Sequence, residues 1–155
     1  MLTIHDLNIY FGEEHVIKNV NFELLPDQVL GIVGESGSGK SVSTLSILGL
    51  LGAKAKIDGS IMFQGQELTT YSDKDFQNLR GNAISMIFQE PMSSLNPSMR
   101  CGKQVEEVLT QHKKLSKKEI KQEVINHFKK VKLPRPETIY KSYPHEISGG
   151  QMQRV

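Results

Sequence analysis

The sequence predicts an α/β fold with an antiparallel β-subdomain, a core strand that leads into a glycine-rich loop, and an all-helical insert. Residues 1–28 alternate apolar and polar side chains at period two, which is typical of half-buried strands. The apolar run Val29–Val33 enters the glycine-rich loop directly, and a helical pattern follows it. From about Gly102 to Leu133 the apolar spacing is helical throughout, with no strand pattern between.

Length and composition limit the class of protein. The chain has 155 residues and a mass of 17.4 kDa, the size of one ordinary domain with its own core. A content of 37% hydrophobic and 23% charged residues excludes a disordered chain, and no apolar run approaches the ~20 residues of a bilayer helix. The single Cys101 excludes an intramolecular disulfide and a paired-cysteine metal site, so its simplest interpretation is a buried thiol. The first residues lack a secretory signal pattern, and we therefore expect a soluble, cytoplasmic chain.

The β-subdomain is predicted from short sets of alternating apolar residues. These sets are Leu2 and Ile4, then Leu7, Ile9 and Phe11, then Val20, Phe22 and Leu24. The change of phase at Asp6 predicts a bulge or a turn. Asp58-Gly59 predicts a turn into a further strand at Ile61 and Phe63, which we expect to pair with the amino-terminal strands.

The core elements are read from the apolar runs around the glycine-rich loop. Val29–Val33 and Ile84–Phe88 predict strands buried on both faces. A helix is predicted from Lys40 to Leu51, with Gly52 ending it, and a short helix from Asp73 to Arg80 with Gly81 ending it. The apolar spacing within the first helix is carried by Leu45, Leu48 and Leu51.

The helical insert is predicted to hold two helices. The second opens with Ser116 and Glu119, a capping-box spacing in which each side chain bonds the backbone N–H of the other residue. Pro134 and Pro136 are predicted to end it. Its apolar stripe consists of Ile120, Val124, Phe128 and Val131.

The glycine-rich loop carries the clearest chemistry. Its eight residues match the pattern G-x-x-x-x-G-K-[ST] and are Gly34, Glu35, Ser36, Gly37, Ser38, Gly39, Lys40 and Ser41. Glycines let consecutive backbone N–H groups turn toward phosphate oxygens, and the start of the next helix adds its positive dipole end. In this pattern Lys40 reaches the β- and γ-phosphates and the Ser41 hydroxyl binds Mg²⁺. The sequence therefore predicts a nucleoside triphosphate site.

A second glycine-rich element stands near the end of the chain. It consists of Ser148, Gly149, Gly150 and Gln151, and alone it is weak evidence. Together with the phosphate loop it resembles the ATP-binding-cassette (ABC) family, whose signature reads LSGGQ. The third family element, a glutamine at the edge between core and insert, is present as Gln89 at the end of ISMIFQ. GIVGESGSGKS, FQEPMSSLNP and YPHEISGGQMQRV look like the ATPase subunits of bacterial oligopeptide, dipeptide and nickel importers.

The resemblance implies a P-loop ATPase organisation. Residues 1–89 form the ATP-binding core with the β-subdomain, residues 90–147 the helical insert, and residues 148–155 the signature loop and the helix that follows Gln151. Gly34–Ser41 hold ATP and Mg²⁺, and Lys40 and Gln89 act in catalysis, Gln89 by positioning the metal and the attacking water. Phe11 stacks on adenine, although strand core is a nearly equal interpretation and Tyr10 competes with it. Ser148–Gln151 bind the γ-phosphate of ATP held by an opposite subunit.

The same resemblance implies an assembly at a membrane. Its parts are a second ATPase subunit, identical or related, two transmembrane permease subunits and an external solute-binding protein. The chain would act peripherally, at the cytoplasmic face of the bacterial plasma membrane. The family continues past the signature with a strand that ends in Asp-Glu (Walker B and the catalytic glutamate) and with a switch histidine. These elements do not occur here, so we expect a chain truncated before the Walker B strand and hydrolysis that is very slow or nil.

Two other functions stay open at this point. One is a nucleotide-binding module without catalysis. The other is an ABC ATPase acting on nucleic acid, suggested by residues 112–132, which hold eight lysines and two glutamates for a net charge of +6. Because the second predicted helix has a clean apolar stripe, its lysines fit a solvated face, and we expect no nucleic-acid partner.

Overall fold

Two compact units make up the computed structural model, which describes residues 1–88 and 94–155. The first unit is Met1–Ile84 and the second is Ser85–Val155. The predicted domain boundary between residues 89 and 90 falls outside the described residues. Among residues 1–88 and 94–155, none of the helices combines the length and the apolar character of a membrane-spanning segment.

An antiparallel sheet with strand order β2-β1-β3-β4 forms the first unit. Its strands are β1 (Leu2–Phe11), β2 (Glu14–Leu24), β3 (Ala55–Phe63) and β4 (Gln66–Glu67). The predicted strands and the predicted pairing of Ile61 and Phe63 with the amino-terminal strand are confirmed, since Ile4 faces Ile61 and Leu2 faces Phe63. The alternating apolar residues bury one face, where Ile4, Leu7, Ile9, Ile17 and Ile61 are at most 3% exposed.

The change of phase at Asp6 is a β-bulge. Asp6 has φ 48°, and the register of β1 against β3 shifts between His5 and Asn8. On β3, Gly59 has φ 99°, and a Cβ atom there would lie 2.3 Å from the Asp6 carbonyl oxygen. The predicted turn at Asp58-Gly59 is therefore wrong: both residues lie inside β3, where the glycine admits the close approach of the bulged strand.

Two helices complete the first unit. α1 spans Lys40–Ile47 and α2 spans Asp73–Leu79. The prediction that α1 continues to Leu51 is wrong, because Gly49 takes φ 59° and ends the helix three residues before Gly52. The α2 prediction is confirmed to within one residue, and Ser72 begins this helix with a capping box to Asp75.

The two predicted core strands are absent from the described residues. Val29 is 100% exposed and Val33 96% exposed, and the run 29–33 forms no strand. Ile84 makes a single bridge with Arg80, and Ile87 is 91% exposed. A strand requires hydrogen-bonded neighbours, and no described strand pairs with either run. Ile84 is half-buried against the core of the first unit, whereas Val29, Val33 and Ile87 lack the burial that the apolar sequence predicted.

The second unit is helical, as predicted. Its helices are α3 (Cys101–His112), α4 (Lys117–Lys130), α5 (Pro136–Lys141) and α6 (Gly149–Met152). They enclose a core of Cys101, Val124, Ile125, Phe128, Leu133, Ile139 and Tyr140, against which Ile147 and Val155 also pack. The prediction of Cys101 as a buried thiol is confirmed, because its side chain is 0% exposed.

The predicted start of α4 is confirmed and its predicted stripe is corrected at one position. Ser116 and Glu119 form the capping box. Val131 is 42% exposed because it is the C-cap residue beyond the last turn, and Ile125, at 4%, takes its place in the core. Pro136 does more than follow α4: it stands in the first turn of α5, where a missing N–H costs nothing.

Candidate phosphate-binding site

The glycine-rich loop of residues 34–41 leads into α1 and is shaped by two glycines. Gly37 has φ 82° and Gly39 has φ 89°, a left-handed conformation that costs other residues free energy. Gly39 is the N-cap of α1 and makes no side-chain capping bond, while its carbonyl oxygen accepts from the Ser43 N–H at 2.9 Å. The Ser38 N–H donates to the Glu35 carbonyl at 3.2 Å. These bonds fold the loop into a tight turn.

The loop lies close to the sheet at Gly39. A Cβ atom at Gly39 would lie 2.2 Å from Cδ1 of Ile17, a core residue that is 3% exposed. Within the loop, a Cβ atom at Gly34 would lie 2.7 Å from the Ser38 Oγ. Glycine is thus required at position 39 both by the backbone angle and by the packing against β2.

Lys40 crosses the loop with its side chain. Its Nζ donates to the Gly34 carbonyl at 2.8 Å, the Glu35 carbonyl at 2.6 Å and the Ser38 Oγ at 3.3 Å. An ammonium group has three N–H donors, and the loop accepts from all three. The Lys40 ammonium group is therefore held among the oxygen atoms of the loop, where it could bind an anion.

Ser41 lies in the first turn of α1 and is exposed. No acidic residue occupies that turn, so nothing on the helix itself offsets the positive end of its dipole. The residues present therefore fit a phosphate group: an ammonium, free helical N–H groups and a hydroxyl converge on one loop. The hydroxyl of Ser41 is of the oxygen type that Mg²⁺ prefers.

An apolar crevice of about 440 Å³ opens beside the loop. Val20 and Phe22 of β2 line it together with Leu30, Ile32 and Val33 of the exposed run. Lys40 and Ser43 line its polar end.

Two aromatic side chains were predicted as candidates for adenine stacking. Phe11 is half-buried, packs against the core of the first unit, and shares the strand face of Ile9, two residues before it. Ile9 pairs with Ile17, the residue against which Gly39 packs. Tyr10 points to the other face and stacks on His15 at 4.2 Å between ring centroids. The fold thus brings Phe11, rather than Tyr10, to the face that carries the loop.

The second glycine-rich element lies in the other unit. Ser148 caps α6: its Oγ accepts from the Gln151 N–H at 3.3 Å, and the Gln151 Oε1 accepts from the Ser148 N–H at 2.9 Å. The helix thus begins at Gly149, whereas the sequence predicted a start after Gln151, because the serine and glutamine spacing forms a capping box. Arg154, which sequence reasoning missed, donates to the Gly150 carbonyl at 3.0 Å and to the Lys132 carbonyl at 3.1 Å.

The predicted Mg²⁺ ligands lie only partly within the described residues. Gln89, the predicted partner of metal and attacking water, lies outside the described residues. Within residues 1–88 and 94–155, no group of three or more His, Cys, Asp or Glu side chains is arranged to hold a metal ion.

Comparison with known proteins identifies the family. A sequence profile of ABC transporters matches residues 17–155. The chain belongs to the ABC transporter family. The oligopeptide transport ATP-binding protein OppD of Escherichia coli (strain K12) is 45% identical over 159 residues, covering 100% of this chain and 47% of that protein. The dipeptide transport ATP-binding protein DppD of Bacillus subtilis (strain 168) is 43% identical over 161 residues, covering 100% of this chain and 48% of that protein.

Solved ABC cassettes share the fold. The dimeric structure of MJ0796, a bacterial ABC transporter cassette, superposes with a TM-score of 0.81 at 26% identity, covering 99% of this chain and 66% of that one. A dimeric post-hydrolysis state of MJ0796 bound to ADP and Pi gives a TM-score of 0.79 at 25% identity over 99% and 66%. The expected α/β fold of an ABC ATPase is confirmed. The chain spans about half the length of the curated relatives named above.

Two supporting residues of this ABC chain gave no signal in the sequence. Ile17 belongs to none of the alternating apolar sets that predict the strands, and its contact with Gly39 arises from the sheet register. Arg80 donates to the carbonyl oxygens at the end of α1, more than thirty residues earlier in the chain. Neither partner can be read from local spacing.

Proposed function

We propose that this protein is the ATP-binding subunit of a bacterial ABC importer for peptides, coupling ATP binding and hydrolysis to solute import. The observation that carries the proposal is the position of Lys40 at the amino-terminal end of α1. Its Nζ lies within 2.8 Å of the carbonyl oxygens of Gly34 and Glu35 in the glycine-rich loop. The named relatives of OppD and DppD type support peptides as the solute class.

The loop residues act by binding and orienting the triphosphate. Phosphate oxygens are stronger acceptors for an ammonium group than loop carbonyls, so Lys40 would exchange these neutral partners for the β- and γ-phosphates. Backbone N–H groups of the loop and of the first turn of α1 would take the remaining oxygens. Ser41 would hold Mg²⁺, which neutralises phosphate charge when bound, and Gln89 would complete the metal site and position the attacking water. Phe11 would stack on the adenine.

The signature loop would serve the nucleotide of a second ABC subunit. Ser148, Gly149, Gly150 and Gln151 begin α6, and backbone N–H groups at a helix start suit the γ-phosphate of ATP bound by the opposite subunit. Two permease subunits and an external solute-binding protein would complete the importer at the cytoplasmic face of the plasma membrane. We propose that hydrolysis belongs to that assembly, and we expect ATP binding without measurable turnover from the 155 residues alone.

Nucleotide affinity tests the site. Titration of the chain with ATP and Mg²⁺ should show binding, and Lys40→Ala should weaken it about 10- to 100-fold, the value of the charge-assisted hydrogen bonds removed. Lys54→Ala, an exposed lysine outside the loop, is the matched control and should leave affinity unchanged. Equal affinity of the Lys40→Ala variant and the parent chain would contradict the proposal.

Transport tests the solute. The full-length gene, rather than one encoding these 155 residues alone, should restore uptake of a labelled tripeptide to bacteria that lack their own peptide-importer ATPase, provided that the matching permeases are supplied. Restored uptake of nickel alone would show that the solute is nickel rather than a peptide. No restoration of either uptake would overturn the importer assignment but would not affect the proposed nucleotide site.

A further inference from the structure

A cluster of exposed lysines surrounds the connection between α3 and α4. Its members, the α3–α4 lysine cluster, are Lys113, Lys114, Lys117, Lys118 and Lys121. Glu119 is the one carboxylate in the span 113–121, and it is engaged in the helix cap, where it accepts from the Ser116 N–H at 2.8 Å and the Ser116 Oγ at 2.6 Å. The span therefore carries a net charge of +4 on its surface.

The ammonium groups of this cluster lack carboxylate partners within the described residues. The lysine ion pairs found there join Lys103 to Glu106 and Lys129 to Glu137, so neither includes a member of the cluster, although the charge of Lys121 acts on Glu106. Lys121 lies 5.4 Å from the ring centroid of Tyr140, and no other member has a described contact of this kind. The helix α4 begins at Lys117 within the cluster, and Glu119 in its first turn offsets part of the positive end of its dipole, so the lysines are the main source of positive charge here.

An apolar side chain stands between the lysines. Leu115 is 36% exposed. In the sequence it directly follows two lysines, and two more lysines follow Ser116. Lysine side chains cover apolar surface with their methylene stems and keep the ammonium group outside. A basic rim around one exposed leucine suits a surface that is anionic at its edge and apolar beneath.

We propose that the α3–α4 lysine cluster binds an anionic phospholipid surface, with Leu115 entering the headgroup region. Lysine acts as a compact point charge, which fits a diffuse layer of lipid phosphates. Nucleic acid is disfavoured, because residues 113–121 contain no aromatic side chain for base stacking and residues 101–134 contain no arginine. The proposal does not depend on the nucleotide site.

Vesicle binding tests the proposal. The complete chain should sediment with phosphatidylcholine vesicles that contain phosphatidylglycerol and not with vesicles of phosphatidylcholine alone. Raising the salt from about 0.1 M to about 1 M should abolish binding, since the Debye length falls from about 10 Å to about 3 Å. Replacing Lys113, Lys114, Lys117 and Lys118 by glutamine should weaken binding at least about 100-fold, whereas replacing the same four by arginine should preserve it.

Matched variants separate this surface from net charge. Replacing Lys129, Lys130, Lys132 and Lys141 by glutamine removes the same charge from exposed positions of the same unit and should leave most of the binding. Leu115→Ser should weaken binding severalfold at unchanged charge. Equal loss in both glutamine variants, or tighter binding of duplex DNA than of anionic vesicles, would overturn the proposal. Helical circular dichroism and ATP affinity should be the same in all variants.

Discussion

Arg80 donates from its Nε to the carbonyl oxygen of Leu48 at 2.8 Å, which fastens the end of α1 to the residue that follows α2. Its Nη2 donates to the Gly49 carbonyl, also at 2.8 Å, and its guanidinium lies 5.1 Å from the ring centroid of Phe76. The last carbonyl groups of a helix lack partners within the helix, so a cation there both satisfies and charge-stabilises them. The helix that begins at the phosphate loop is thus anchored at its far end.

Arg80→Ala should destabilise the first unit. Removing two charge-assisted hydrogen bonds should cost about 1.5–3 kcal/mol of unfolding free energy, because the two carbonyl groups are left half-buried. Urea unfolding followed by circular dichroism measures the change. Lys74→Ala, an exposed cation of α2, is the control and should change the unfolding free energy by less than about 0.5 kcal/mol.

Gly39→Ala should damage both stability and ATP binding. The φ of 89° disfavours alanine, and the added Cβ would lie 2.2 Å from the Ile17 Cδ1, so we expect a loss of about 1–3 kcal/mol. Gly52→Ala, where a Cβ meets open space, is the matched glycine control. In the double variant Gly39→Ala/Ile17→Ala the losses should be less than additive, since the second change removes the steric contact but not the backbone strain. Strict additivity would show that the contact is unimportant.

Glu106 should make the second unit sensitive to acid. Partial burial acts to raise the pKa of Glu106, but hydrogen bonds from Lys103 and Tyr140 outweigh it and hold the pKa below its ordinary value of 4.5. A lowered carboxyl pKa stabilises the fold above the ordinary value, and this contribution is lost as the pH falls below 4.5 through the lower folded pKa. Glu106→Gln should therefore flatten the decline of the urea midpoint in that window. Glu107→Gln, its exposed neighbour, should leave the decline unchanged.

Cys101 should resist thiol reagents in the folded chain. Burial raises the pKa of the thiol, opposed by a backbone hydrogen bond and reinforced by the charge of Glu146, and the side chain is 0% exposed. The thiolate is the reactive form, so labelling with a disulfide reagent near neutral pH should be slow until denaturant is added. Ser98→Cys, an exposed position in the same unit, should label at once. Equal rates for the two thiols would contradict the described core.

Local patterns sufficed for the elements whose hydrogen bonds close within a few residues. The capping box of Ser116 and Glu119, the helix α4 and the glycine-rich turn at Gly39 follow from residue types at short fixed spacings. The resemblance drawn from the phosphate loop and the signature residues was enough for the ABC family. The phase slip at Asp6 predicted a bulge or a turn, and the structure has the bulge.

Only the tertiary structure decided what these elements meet. Val29 reads as a buried strand residue but is fully exposed, because strand pairing needs a partner from elsewhere in the chain and no described strand supplies one. The contact of Gly39 with Ile17 and the bonds of Arg80 to the end of α1 join residues more than twenty positions apart. Sequence alone determined the chemistry of the loop, and the sheet and α2 determined how firmly that loop is held, since long-range contacts carry no local signature.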